Sequence, residues 1–161
     1  MDIRDLTTPR GLVALAAAGS AAILLGALMF QAIGYAPCDL CIQQRWPHLA
    51  AAVLGVLILV FRLPMATALL GAVAALVTAG LGVYHSGVER KIFAGPDTCT
   101  SNPPGSMSAA DLLAQIQNAP LIRCDEIAWE MFGITMANLN ALFSFGFAVL
   151  WVAAWVRSRR G

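Results

Sequence analysis

Residues 12–33 read LVALAAAGSAAILLGALMFQAI, 22 positions without a charge, and this stretch decides the fold. A helix of that length reaches about 33 Å, enough to cross a hydrocarbon core of about 30 Å. Further apolar blocks follow at 42–61, 65–84 and 132–156, and only Arg62-Leu63-Pro64 separates the second from the third, which predicts a tight antiparallel hairpin. The composition agrees: of 161 residues, 59% are hydrophobic and 12% charged, with a mean hydropathy of +0.74. Soluble domains have about 25% charged residues. The expected fold is an all-α membrane protein. Its single integral membrane domain, 1–161, would be a bundle of four transmembrane helices with a long outer loop at 85–131. The net charge of +1, with no basic patch, gives no footprint for a nucleic-acid partner.

Four crossings put both termini on one side, which collects Arg4, Arg10, Arg62, Arg157, Arg159 and Arg160. By the positive-inside bias this side is the cytoplasm of a bacterial inner membrane, leaving residues 35–41 and 85–131 periplasmic. Trp151 and Trp155 would then mark the inner aromatic belt, and Trp46 and Trp129 the outer one. Small residues at 16–22 would suit signal cleavage, but the apolar run continues to Ile33, so an uncleaved first span is expected. Within the outer loop, Ser108-Ala109-Ala110-Asp111 matches a capping box. It predicts a short amphipathic helix ending near Pro120, with Leu112, Leu113 and Ile116 on one face, suited to lying on the membrane or packing on the bundle.

All four cysteines, Cys38, Cys41, Cys99 and Cys124, fall on the outer side, where disulfides persist. Cys38-Asp39-Leu40-Cys41 follows Pro37 and opens the second span, where unpaired backbone N–H groups favour a thiolate. Zinc and haem attachment fit poorly, because there is no second C-x-x-C and Ile42 rather than His follows Cys41, so no metal is expected. Arg45 lies one turn beyond Cys41 on the same helix face, placed either to anchor a headgroup or to hold a quinone oxygen beside the Cys41 sulfur. Cys99 and Cys124 enclose 24 residues, and this second pair reads either as a static loop closure or as a mobile pair that meets a soluble protein. His85 ends the third span and His48 follows Arg45 by three; each can touch a quinone headgroup or simply bond to backbone or water. Gly80 and Gly82 read as helix-packing positions, Asn138 and Asn140 as interhelical hydrogen-bonders, and Gln43 and Gln44 as facing solvent.

The arrangement resembles the disulfide bond formation protein B family. The likeness spans nearly the whole chain: four spans, Pro37-Cys38-Asp39-Leu40-Cys41-Ile42-Gln43-Gln44-Arg45, then Cys99, and Cys124-Asp125-Glu126 followed by Trp129, Gly133 and Met136. It departs from the family where Ala137 and Leu139 replace a common Pro and Trp, and where Gln44 precedes the arginine. The resemblance implies a protein-disulfide:quinone oxidoreductase. In such a cycle Cys99 and Cys124 oxidise a periplasmic DsbA-like thioredoxin-fold partner and are reoxidised by Cys38 and Cys41, while membrane ubiquinone or menaquinone takes the electrons. It further implies that Cys41 faces the quinone, Arg45 and His85 bind it, Cys99 receives the partner's thiolate, Cys38 relays between the pairs and Cys124 is partner to Cys99.

Two other classes compete. A vitamin-K-epoxide-reductase-like quinone oxidoreductase also combines a C-x-x-C with a loop pair, but there the loop pair generally comes first in the chain. A non-enzymatic membrane scaffold or small transporter with structural disulfides would be expected to pair ionisable groups at mid-depth, and no such pair is visible.

Overall fold

The computed structural model describes residues 6–96 and 122–160, together with Ser108, Ala110 and Leu113. Four long helices dominate: α1 (Pro9–Ala32), α2 (Asp39–Val60), α3 (Ala68–Glu89), preceded by a 3-10 turn at Met65–Thr67, and α4 (Met136–Ser158). A two-stranded antiparallel hairpin, β1 (Glu130–Met131) and β2 (Ile134–Thr135), leads into α4. Each helix packs on its neighbours in sequence, and α4 closes the ring against α1. This is the arrangement that short connections between antiparallel helices impose.

Among the described residues, three helical segments, Pro9–Ala32, Met65–Glu89 and Met136–Ser158, are long and apolar enough to cross a membrane. Helix α2 is as long, but its first turns carry Asp39, Gln43, Gln44, Arg45 and His48. Large apolar residues such as Leu25, Val56, Leu70 and Leu142 are exposed on the outer faces. Water would leave these faces uncovered; lipid chains would cover them.

The helix ends differ from the expected spans for local reasons. Thr8 caps α1 by accepting from the Gly11 N–H at 3.0 Å, and Pro9 takes a first-turn position that needs no N–H. Helix α2 begins three residues early because the Cys38 sulfur itself serves as N-cap. Helix α3 runs five residues past the expected end at 84, so His85 and Glu89 lie in the helix rather than in the outer loop. It stops where Lys91 turns left-handed at φ 59°, with the Ile92 N–H reaching back to the Gly87 carbonyl at 2.8 Å. At the fourth span, residues 132–135 are not helical. Phe132 and Gly133 both take positive φ, 52° and 76°, forming the turn of the β-hairpin, and Thr135 with Asn138 supplies the capping box that starts α4. The short helix expected from Ser108 lies, but for three isolated residues, outside the described residues.

The bundle has an apolar half and a polar half. Val13, Ala16, Ala51, Ile58, Ala72, Ala75, Trp151 and Ala154 form the main core. Trp151 is fully buried there rather than placed in an interfacial belt: its indole lies against Gly71, where an added side chain would occupy the same space. Gly82 lets α3 approach the α4 backbone, whereas Gly80 faces open space and is no packing site. At the other end Cys38, Leu40, Val88 and Cys124 make a smaller cluster, with Cys41 and Tyr84 against it.

Candidate redox site

Between the two clusters, buried polar side chains form one hydrogen-bonded chain across α2, α3 and α4. Gln44 Nε2 donates to the Leu40 carbonyl at 3.0 Å, which orients the amide, and it lies 2.9 Å from His85 Nδ1. Its Oε1 accepts from Asn140 Nδ2 at 2.6 Å. Asn140 Nδ2 also faces the Thr78 carbonyl and hydroxyl, both at 3.2 Å, while its Oδ1 faces His48 Nε2 at 2.7 Å. The Thr78 hydroxyl donates to the Gln44 carbonyl at 3.1 Å, in the turn that Pro47 weakens by lacking an N–H. Gln44 is thus buried, contrary to the expectation that it faces solvent, while Gln43 is exposed. Asn138 bonds to Ser86 of α3 at 2.7 Å, so both asparagines link helices.

This chain reaches the cysteine pair through His85. Because Gln44 presents an N–H to His85 Nδ1, the hydrogen of the neutral imidazole sits on Nε2. That nitrogen is 3.5 Å from Cys38 Sγ and 3.9 Å from Glu89 Oε1, and the Cys124 backbone is a further partner of the ring. Cys38 Sγ also accepts from the Cys41 N–H at 3.3 Å and lies 3.0 Å from Cys41 Sγ, to which it donates. Both thiols are free and sit at the mouth of α2, before the apolar run that starts at Ile42. They titrate as a pair. The hydrogen bond donated by Cys38 takes Cys41 from 9.0 down to about 7, with Arg45 adding a smaller favourable charge. The same bond, and then burial, push Cys38 well above its ordinary value. Of the two thiols, Cys41 is therefore the more acidic.

Arg45 reaches α1, donating from Nη1 to Gln31 Oε1 at 2.7 Å and from Nη2 to the Ala27 carbonyl at 3.4 Å. Its Nε is buried without a partner among the described residues. A cavity of about 320 Å³ opens beside it, walled mainly by apolar residues of α1 and α4 such as Ile23, Leu24, Phe30 and Leu139. Cys38, Cys41, Arg45, His48, His85 and Glu89 also line it.

Cys124 is fully buried and disulfide-bonded, next to the first pair. Cys99 lies outside the described residues. Beside Cys124, Arg123 holds Asp125 with two hydrogen bonds, 2.9 and 2.8 Å, which keep the Asp125 carboxyl below its usual range.

Cys38, Cys41 and His85 bring three ligand atoms within 4.8 Å of one another, enough to raise the question of a metal. Two thiolates on tetrahedral zinc, with Zn–S near 2.3 Å, stand about 3.8 Å apart. The 3.0 Å sulfur separation is tighter and suits a pair that closes into a disulfide.

Sequence reasoning singled out the cysteines, Arg45 and His85, but it missed Glu89 and misplaced Gln44. The available signal was helical spacing: Glu89 follows His85 by four, and Gln44 precedes His48 by four.

Comparison with known proteins adds a family. The family described as "Disulfide bond formation protein DsbB" matches residues 9–154. The chain is 28% identical over 167 aligned positions to a disulfide bond formation protein B from Acidovorax sp. (strain JS42), covering 96% of this chain and 92% of that protein. It is 30% identical over 113 residues to an uncharacterized protein from Rickettsia prowazekii (strain Madrid E), covering 68% of this chain and 66% of that protein. No solved structure matches.

Proposed function

The chain belongs to the DsbB family of membrane proteins of disulfide formation, and from that premise we propose that it is a protein-disulfide:quinone oxidoreductase of a bacterial inner membrane. All four long helices cross as one integral domain, 1–161, with both termini cytoplasmic and the cysteines periplasmic. Helix α2 tolerates its polar turns because Gln44 and His48 are turned inward and hydrogen-bonded. Cys99 and Cys124 accept electrons from a periplasmic DsbA-like thioredoxin-fold dithiol and pass them to Cys38 and Cys41. Membrane quinone, ubiquinone or menaquinone, is the terminal acceptor.

The observation that carries this reading is a thiol pair 3.0 Å apart at the edge of a mainly apolar cavity. The residues fit a quinone headgroup: the walls suit an apolar ring, and Arg45 Nε is a buried donor with nothing to bond. A bound quinone supplies a two-electron, two-proton acceptor. The chain's own residues do the rest. Cys41 holds a thiolate near neutral pH, and closing the Cys38–Cys41 bond releases two electrons and the Cys38 proton. Beyond His85, Glu89 offers a buried carboxylate oxygen without a partner as a proton acceptor.

Cys124→Ser, challenged with a disulfide-bearing partner that lacks its own resolving cysteine, should trap a mixed disulfide through Cys99, seen on non-reducing gels and mapped by mass spectrometry. Cys38→Ser should oxidise one equivalent of partner and then stop. Wild-type multiple turnover by Cys38→Ser with quinone as sole oxidant would refute the two-pair relay.

A further inference from the structure

His48 occupies the same face of α2 as Cys41 and Arg45, at positions 41, 45 and 48, so that it stands about two turns deeper than the cysteine pair. It is 2% exposed and lines the same cavity. Nothing in the relay of thiols uses it.

Its neighbours determine which ring nitrogen carries the hydrogen. Asn140 points Nδ2 at two acceptors, Gln44 Oε1 and the Thr78 carbonyl, so the atom left facing His48 Nε2 at 2.7 Å is Oδ1. An amide oxygen only accepts, and the neutral imidazole must therefore be protonated on Nε2. Nδ1 is left as a bare lone pair. It is enclosed and has no partner among the described residues, although buried acceptors are ordinarily satisfied. Two residues that line the cavity thus each hold a buried nitrogen without a partner among the described residues: a donor, Arg45 Nε, and, about one turn deeper, an acceptor, His48 Nδ1.

The two oxygens of a quinone lie at opposite ends of its ring. In the oxidised form both offer only lone pairs, whereas in the quinol form each carries O–H. Arg45 Nε can donate to an oxygen of either form, but His48 Nδ1 can bond only to the reduced one and opposes a carbonyl. Resting on the quinone reading above, we propose that His48 Nδ1 accepts a hydroxyl of the hydroquinone, making this site bind quinol more tightly than quinone. The balance of the reaction is unchanged: with Cys41 already a thiolate, the pair loses two electrons and the Cys38 proton as its S–S bond forms, and quinone gains both electrons, that proton and a second proton from solvent. His48 favours that direction at the site by holding the product. The cost is slower quinol release.

The test is direct binding to the purified full-length protein with its cysteines oxidised, in detergent under anaerobic conditions. Isothermal titration with a short-tailed ubiquinone and with its quinol gives the two dissociation constants. The wild type should prefer quinol. His48→Leu should weaken quinol binding about tenfold, equivalent to about 1.4 kcal/mol, and leave quinone binding within about twofold. His48→Gln, whose amide can donate to Asn140 and still offer an oxygen, should keep most of the preference. Equal affinity of the wild-type protein for the two forms overturns the proposal without any variant, and so does an equal loss of both in His48→Leu. Wild-type protein that binds neither form would overturn the quinone reading itself.

Discussion

Replacing Gln44 by Leu tests whether the buried hydrogen-bonded chain tunes the cysteine pair. The substitution keeps an apolar side chain of similar length, but it removes the donor to His85 Nδ1 and the acceptor for Asn140 Nδ2. Asn140 keeps the Thr78 carbonyl and hydroxyl, so its loss is small. His85 keeps nothing in place of Gln44, and an unsatisfied buried acceptor costs about 1–3 kcal/mol. The expected stability loss is therefore about 1–3 kcal/mol, a few degrees in melting temperature. The second effect is specific to the site. With Nδ1 unpaired, the imidazole hydrogen is no longer held on the nitrogen facing Cys38, and Cys38 becomes a weaker donor to the Cys41 thiolate. A neutral hydrogen bond is worth about 0.5–1.5 kcal/mol net, and one pKa unit is 1.36 kcal/mol. The Cys41 thiol should therefore become less acidic in the variant. Ultraviolet thiolate absorbance, followed against pH in the reduced protein with Cys99 and Cys124 replaced by serine, reads it directly. Alkylation rates give an independent measure. An unchanged thiolate titration in a folded Gln44→Leu protein would refute the idea that Gln44 acts on the sulfurs through His85.

Arg45→Leu should raise the apparent quinone KM about tenfold, or about 1.4 kcal/mol of transition-state stabilisation, with the cysteine redox states unchanged. Unaltered kinetics at subsaturating quinone would reduce Arg45 to a tether between α2 and α1 through Gln31 and the Ala27 carbonyl. For topology, single cysteines placed by Ile92→Cys and Arg160→Cys in a cysteine-free background should react oppositely with an impermeant maleimide in intact spheroplasts, the first labelled and the second protected. Labelling at 160 from outside would reject the proposed orientation.

Much of the helical architecture is legible in the chain because lipid and backbone physics leave few choices. An uncharged run such as 12–33 must satisfy its own peptide groups, and the α-helix does this locally. The cysteine pair at 38 and 41 is equally local: three residues apart at a helix start, the sulfurs meet across one turn. Arg45, one turn on, shares their helix face for the same reason. The ends of the spans were less legible. Hydropathy falls at His85, yet the helix continues to Glu89, because those polar side chains are buried against neighbouring elements rather than exposed to water. Phe132 reads as membrane-bound, yet two positive-φ residues make 132–133 a hairpin turn.

By itself, then, the sequence determined where helices could form, which cysteines lie near one another along the chain, and which family the chain belongs to. Only tertiary structure decided what those helices bring together. Gln44 and His48 on α2, Thr78 and His85 on α3, and Asn140 on α4 are separated by up to 96 residues, and no local periodicity connects them. They meet because a polar group buried in a bundle has no water to bond and must find its partner on a facing helix. That requirement places the imidazole hydrogens of His85 and His48, and with them the donor facing Cys38 and the acceptor nitrogen of His48 that has no partner among the described residues.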